Sequence, residues 1–206
     1  MGNHKNQVCK ENEDQEKARL GIESAIKEIS GIKLMLDTNI LIAACDGTSS
    51  QKKVIAEIAG QNATHICDTV FWEFLRNCSL EKFRERFGFL TSNNLLEVEH
   101  EDGNVQRMYQ AVWATYLCCF QDDPRQMAAI AIPDLWIVAT TVQRGIENIL
   151  TSDNSDFPDK LFDKKKYFIG KEKTIILMTF NRERAKSYLK EALDKGLLVS
   201  FLSFRN

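Results

Sequence analysis

The sequence predicts an α/β fold, a central parallel sheet of four to five strands with helices on its faces. Three observations carry that expectation. Ile32–Leu36, His65–Cys67, Asn148–Thr151 and Thr174–Phe180 are apolar runs too short for confident helices, as buried parallel strands are. Helical stretches with capping signals lie between several of them, and strands alternating with helices are joined by crossovers that make neighbours parallel. The chain has 206 residues and is 44% hydrophobic, enough for one domain with a proper core.

In order, residues 1–31 read as a charged helical extension. Ala18, Leu20, Ile22, Ala25 and Ile26 form a modest stripe over Gln15–Ile29, suiting a surface helix or a dimerising arm. The strand Ile32–Leu36 ends on Asp37, and Thr38 and Asn39 can cap the helix that begins at Ile40. Asp37 therefore stands at a strand's carboxyl end, where open α/β sheets carry ligand sites. A second helix spans Gln51–Gly60. After His65–Cys67, Asp68 and Thr69 offer caps to a helix in which Glu73 lies between Trp72 and Phe74. A charge amid such bulk requires a partner. Ser79–Phe87 and Gly103–Phe120 read as helices, joined by Leu95–Val98 as strand or turn. Tyr109, Trp113 and Tyr116 recur at helical spacing, an aromatic stripe that suits core better than a binding platform. Pro133 opens a nearly all-apolar helix with Asp134 in its first turn. Asn148–Thr151 runs into an acidic loop holding Asp153 and Asp156. Lys160–Lys173 is basic and reads as irregular. Asn181 caps a last helix that Gly196 stops, and Leu198–Phe204 reads as an edge strand or docked tail.

Composition excludes several classes. No apolar run approaches the roughly 18 residues of a membrane helix, and the polar N-terminus is not a secretory signal, so the cytoplasm is the expected compartment. Six cysteines without a C-x-x-C pair, among apolar neighbours, suit buried free thiols.

Asp37, Glu73, Asp134 and Asp153 all fall at strand ends or helix starts, with Asp156 near enough to join them. Two like charges about 4 Å apart repel by roughly 4 kcal/mol at an effective dielectric near 20. Several such pairs exceed the marginal stability of a domain, so the carboxylates must take up protons or bind a multivalent cation. Oxygen donors without His or Cys point to Mg²⁺ or Mn²⁺, as one ion or two.

Leu36–Leu41, Trp72–Leu75, Pro133–Thr140 and Ile149–Phe157 together resemble the PIN-domain ribonuclease family. Asp37, Glu73, Asp134 and Asp153 match its four acids in order, Asp156 an accessory acid, and Thr38 and Thr151 its small hydroxyl positions, with Asn39 beside them as a supporting residue. The resemblance covers about residues 32–180, leaving 181–206 as a C-terminal helix and tail packed on the domain. It implies an α/β/α sandwich, metal-dependent cleavage of single-stranded RNA (structured RNA being a further substrate) and, as in many members, the toxin role of a toxin–antitoxin pair. An antitoxin-like protein partner and a homodimer are the corresponding partners. The chain is longer than the compact toxins. A catalytically silent nucleic-acid or protein-binding module and a metal-dependent DNA nuclease are the alternatives.

The net charge of -2 conceals a basic remainder: without the five clustered acids, 24 acidic residues face 27 basic ones. Lys164, Lys165, Lys166, Arg182 and Arg184 are the candidates for guiding an RNA backbone, against a plain solvated face.

Overall fold

A computed structural model describes residues 23, 26–92, 96–168 and 174–197. The order is β1 (Lys33–Leu36), α1 (Thr38–Asp46), α2 (Ser49–Gly60), β2 (Ala63–Cys67), α3 (Asp68–Leu75), α4 (Leu80–Ser92) and β3 (Leu96–Glu99). Then follow α5 (Gly103–Cys119), α6 (Pro124–Ala129), α7 (Ile132–Gln143), β4 (Asn148–Thr151), β5 (Phe162–Phe168), β6 (Thr174–Phe180) and α8 (Arg182–Asp194). The strands form one sheet of six in the order β3-β2-β1-β4-β6-β5. Most of the lead-in helix expected over Gln15–Ile29, and the whole Leu198–Phe204 tail, lie outside the described residues.

The parallel part is β3, β2, β1 and β4, with Met35 opposite His65 on one side and Ile149 on the other. The two remaining strands correct the expected parallel sheet of four to five strands. β6 pairs antiparallel with both β4 and β5. The reason is the connections: β5 and β6 follow one another through a short link, which closes them as a hairpin that pairs with β4 through β6. The segment expected to be irregular, Lys160–Lys173, contains β5, whose three lysines mask a strand pattern. It lies at the edge of the sheet, where lysines deter pairing with another chain.

Helices cover both faces. Leu36, Thr64 and Leu96 look towards Leu41, Ile55 and Phe89 of α1, α2 and α4, and α5 packs between α7 and α8 in the other layer. The core runs through Leu34, Met35, Ile66, Phe74, Leu135, Val138, Ile149 and Met178. Five cysteines are described, all with free thiols; Cys67, Cys118 and Cys119 are buried. Gly145 takes a φ of +67° just after α7, a left-handed turn that suits glycine.

Two local expectations fail. Asp37, not Thr38 or Asn39, is the N-cap of α1, accepting the Thr38 N–H. Asp68 and Thr69 do not cap α3, because Asp68 accepts the Glu101 N–H while the Glu101 carboxylate takes the N–H of Thr69. The tie to the chain after β3 replaces a local cap.

Candidate metal centre

Strand order reverses between β1 and β4, since β2 and β3 lie beyond β1 while β6 and β5 lie beyond β4. Crevices outside strand carboxyl ends at such a reversal are ligand sites. Asp37 follows β1, and its N–H extends the ladder to the Leu150 carbonyl at 3.0 Å. Asp153 follows β4 by two residues. The first and fourth acids are thus brought to the same crevice by strand pairing.

Asp37 is 6% exposed and held on both oxygens. Its Oδ1 accepts the Thr38 N–H at 2.6 Å, and its Oδ2 accepts the Asn39 Nδ2 and the Thr151 hydroxyl, both at 2.6 Å. Thr151 Oγ1 in turn accepts from Asn39 at 2.9 Å and from the Asp153 N–H at 3.0 Å, while Asn39 Oδ1 accepts the Ser152 N–H at 2.8 Å. Thr38, Asn39 and Thr151 therefore fix the first acid to the loop bearing the fourth. Burial pushes the Asp37 carboxyl up to about 6, against the lowering effect of these donors and with the charge of Glu73 adding to the rise.

Glu73 differs from the sequence expectation of an acid buried mid-segment without a protein partner. Its side chain is 26% exposed and its neighbour Trp72 is 64% exposed. Glu73 Oε2 accepts the Thr38 hydroxyl at 2.6 Å, and its Oε1 meets Arg76 at 2.9 Å. The first turn of α1 thereby holds the carboxylate of α3. The three-residue step to Arg76 on one helix face is visible in the sequence, but the contact with Thr38 spans two elements and is not.

Asp134, only 9% exposed in the first turn of α7, accepts no hydrogen bond from any described residue. Burial raises its carboxyl to about 8, reinforced by Asp156, Asp37, Glu73 and Asp153 in that order. The other four acids all act on this one group. Asp156 is also raised, by burial and by Asp153. Asp153 is lowered instead, by the N–H and hydroxyl of Ser155, which donate to its Oδ1 at 2.8 and 2.7 Å. The fully buried Phe157 packs edge-on against Phe162 at 5.4 Å and anchors this acidic turn.

The donor set fits a hard divalent cation. It is all oxygen, several carboxylates are disposed to hold protons, and Asp134 has no donor to offset its charge. The geometry is open, however. Among the described residues, the acidic and metal-ligating groups that bring one ligand atom each within 4.8 Å of one another are His65, Glu97 and Glu99, not any three of the five acids. Those three belong to β2 and β3, where His65 Nδ1 meets Glu99 at 2.9 Å and Glu99 meets Arg144 at 3.3 Å. A small hard ion with waters in part of its shell, or two ions, matches the wider spread of the five acids.

The sequence reading missed Tyr116, counted there only in the apolar stripe of α5. It is fully buried with an unpartnered hydroxyl, and its proton is held well above the usual range by burial, then by the charges of Asp134, Cys119 and Asp156. Its ring spacing was legible, but the direction of its hydroxyl towards the acids was not.

The basic candidates are mostly engaged elsewhere. Lys164 pairs with Asp159 at 2.8 Å and Arg182 with Glu147 at 3.6 Å, while Lys165 pairs with Glu28 and Arg184 with Asp163. Lys166 is exposed on β5. A groove of about 430 Å³ runs from Asn39 and Ser152 along Ile42, Ala43 and Asp46 of α1.

The family model of the PIN domain matches residues 34–160, more than half of the chain and all five acids. This chain belongs to the PIN domain family. The PIN domain is in general a nuclease domain, and here its model spans β1 to the loop after β4. Among solved structures, VapBC2 from Rickettsia felis, crystallised bound to a DNA fragment from its promoter, is similar at 19% identity, over 59% of this chain and 89% of that one, with a TM-score of 0.46. No curated protein matches. No described helix of this PIN protein is long and apolar enough to cross a membrane.

Proposed function

We propose that this PIN protein is a metal-dependent endoribonuclease that hydrolyses phosphodiester bonds of single-stranded RNA in the cytoplasm. The observation that carries the reading is Asp134, a buried carboxylate without a donor among the described residues and on which four other acids act. Such a group is costly to the fold and useful to a cation. Asp37, Asp134 and Asp153, with Glu73 and Asp156 beside them, would hold Mg²⁺ or Mn²⁺, which lowers the pKa of a bound water and offsets charge developing at phosphorus.

The chain's own residues do the positioning. Asn39 and Thr151 hold Asp37 Oδ2, and the Thr38 N–H holds its Oδ1. Thr38 orients Glu73, which is half open to solvent and placed to align an attacking water. The groove beside Asn39 offers a path for the strand, with Lys166, exposed on β5, as a basic candidate.

The toxin role, with an antitoxin-like partner and a homodimer, rests on family membership. It is tested by growth arrest on expression that a neighbouring gene product relieves. The chemistry is tested by incubating the protein with single-stranded RNA and DNA in Mn²⁺ or in EDTA, beside Asp37→Asn. Cleavage of RNA in Mn²⁺ alone, lost in the variant by several orders of magnitude, is expected. Cleavage that survives EDTA or the substitution rejects the mechanism, and equal cutting of DNA rejects the RNA preference.

A further inference from the structure

The aromatic stripe of α5 does not behave as one unit. Val105, Val112 and Tyr116 enter the core, but Tyr109 and Trp113 stay partly exposed. They turn towards Trp136 of α7, and together with Gln106 and Gln110 the three rings line an open cleft of about 330 Å³. Tyr109 and Trp136 are stacked, with centroids 4.4 Å apart and planes 21° from parallel. That volume lies at the small end of ligand pockets.

We infer that this α5–α7 cleft is a nucleobase subsite, in which one unpaired base of the substrate strand stacks on the Tyr109–Trp136–Trp113 surface and is read by the Gln106 and Gln110 amides. The inference rests on the nuclease reading above and adds where a base is held. Three features favour a base over another occupant. Flat aromatic surfaces held half in water are the platforms on which single-stranded nucleic acids stack. An amide side chain offers both a donor and an acceptor to a base edge, and no acidic residue lines the cleft to repel a phosphate backbone. The cleft and the candidate site also share an element, because α7 carries both Trp136 and, in its first turn, Asp134. Ile132, 59% exposed one turn before Trp136 on the same helix face, extends the apolar surface back towards the start of α7. A base in the cleft is therefore held against the same helix that carries Asp134.

The test uses the full chain with short single-stranded RNA in EDTA, so that nothing is cut, reading tryptophan fluorescence and affinity. RNA should quench the fluorescence, and Trp113→Ala should weaken binding about 5- to 150-fold, the range for losing one base stack. Trp113→Phe should restore most of it. An abasic nucleotide scanned along the RNA should cost as much at one position, with no further loss in Trp113→Ala. In Mn²⁺ the same variant should raise KM with kcat unchanged. Gln106→Ala combined with Gln110→Ala, which removes the two amides and leaves the three rings in place, should change preference among homopolymers even if Trp113→Ala does not fold. Unchanged affinity in Trp113→Ala, or unchanged base preference in the double glutamine variant, overturns the subsite. So does a wild-type dimer that Trp113→Ala converts to a monomer binding RNA as well as before, since the cleft is then an interface between copies. Binding and quenching without any cleavage in Mn²⁺ rejects the nuclease reading and leaves the subsite standing. Cleavage with undisturbed binding by the variants does the reverse.

Discussion

Replacing Asp134 by Asn removes a charge that burial and four acids oppose while keeping the shape of the side chain. In EDTA the Asp134→Asn protein should be more stable than wild type by about 1–2 kcal/mol, a Tm rise of roughly 2–8 °C for a chain of this size. Stabilisation by Mg²⁺ and RNA cleavage should both disappear. Thermal unfolding by circular dichroism checks the first part, and a Tm below wild type in EDTA would contradict it. Thr151→Val acts in the opposite direction. It deletes the donor to Asp37 Oδ2 and the acceptor of the Asp153 N–H, so it should cost about 1–3 kcal/mol and push the Asp37 carboxyl higher still. At this scale Asp37 was legible from its place after an apolar run, and it is both the helix cap and a candidate site acid. Glu73 was singled out for the wrong reason: it is half-exposed and paired with Arg76 and Thr38 rather than buried alone.

Among the elements, β5 shows what a local pattern hides. Phe162 and Tyr167 are buried and Asp163, Lys165 and Lys166 exposed, a strand signature blurred by three consecutive lysines. Among the described strands β5 pairs on one side only, with β6, so it ends the sheet. Lys165→Thr with Lys166→Val should leave thermal stability near wild type but promote association of folded protein, read by light scattering at rising concentration. Unaltered scattering would assign those lysines to solvation or nucleic acid instead of edge protection. The engaged partners of Lys164, Lys165, Arg182 and Arg184 were invisible in the sequence because Asp159, Glu28, Glu147 and Asp163 approach them only through the β5–β6 hairpin, α8 and the chain before β1.

For the whole molecule, the proposed site would link proton, metal and stability. Asp37 and Asp134 ionise near the usual value of 3.8 when unfolded but hold their protons to about 6 and about 8 when folded. Their stabilising contribution is therefore complete below pH 4 and is lost as pH rises through 6 and then 8. The Tm difference between wild type and Asp134→Asn in EDTA should widen against wild type over that range, and the Tm gain from Mg²⁺ should grow over it. A difference independent of pH would reject this linkage. By itself the sequence determined the alternation of strands and helices, the positions of Asp37, Asp134 and Asp153 at their ends, and the expectation that these carboxylates take up protons or a cation, because hydrophobic period, capping chemistry and Coulomb repulsion are local or additive. Tertiary structure alone decided the antiparallel half of the sheet, the Thr38–Glu73 and Asn39–Thr151–Asp37 contacts, the Tyr116 hydroxyl beneath the acids and the opening of the aromatic stripe into a cleft. Each depends on which elements become neighbours, and strand order is set by packing across the whole chain.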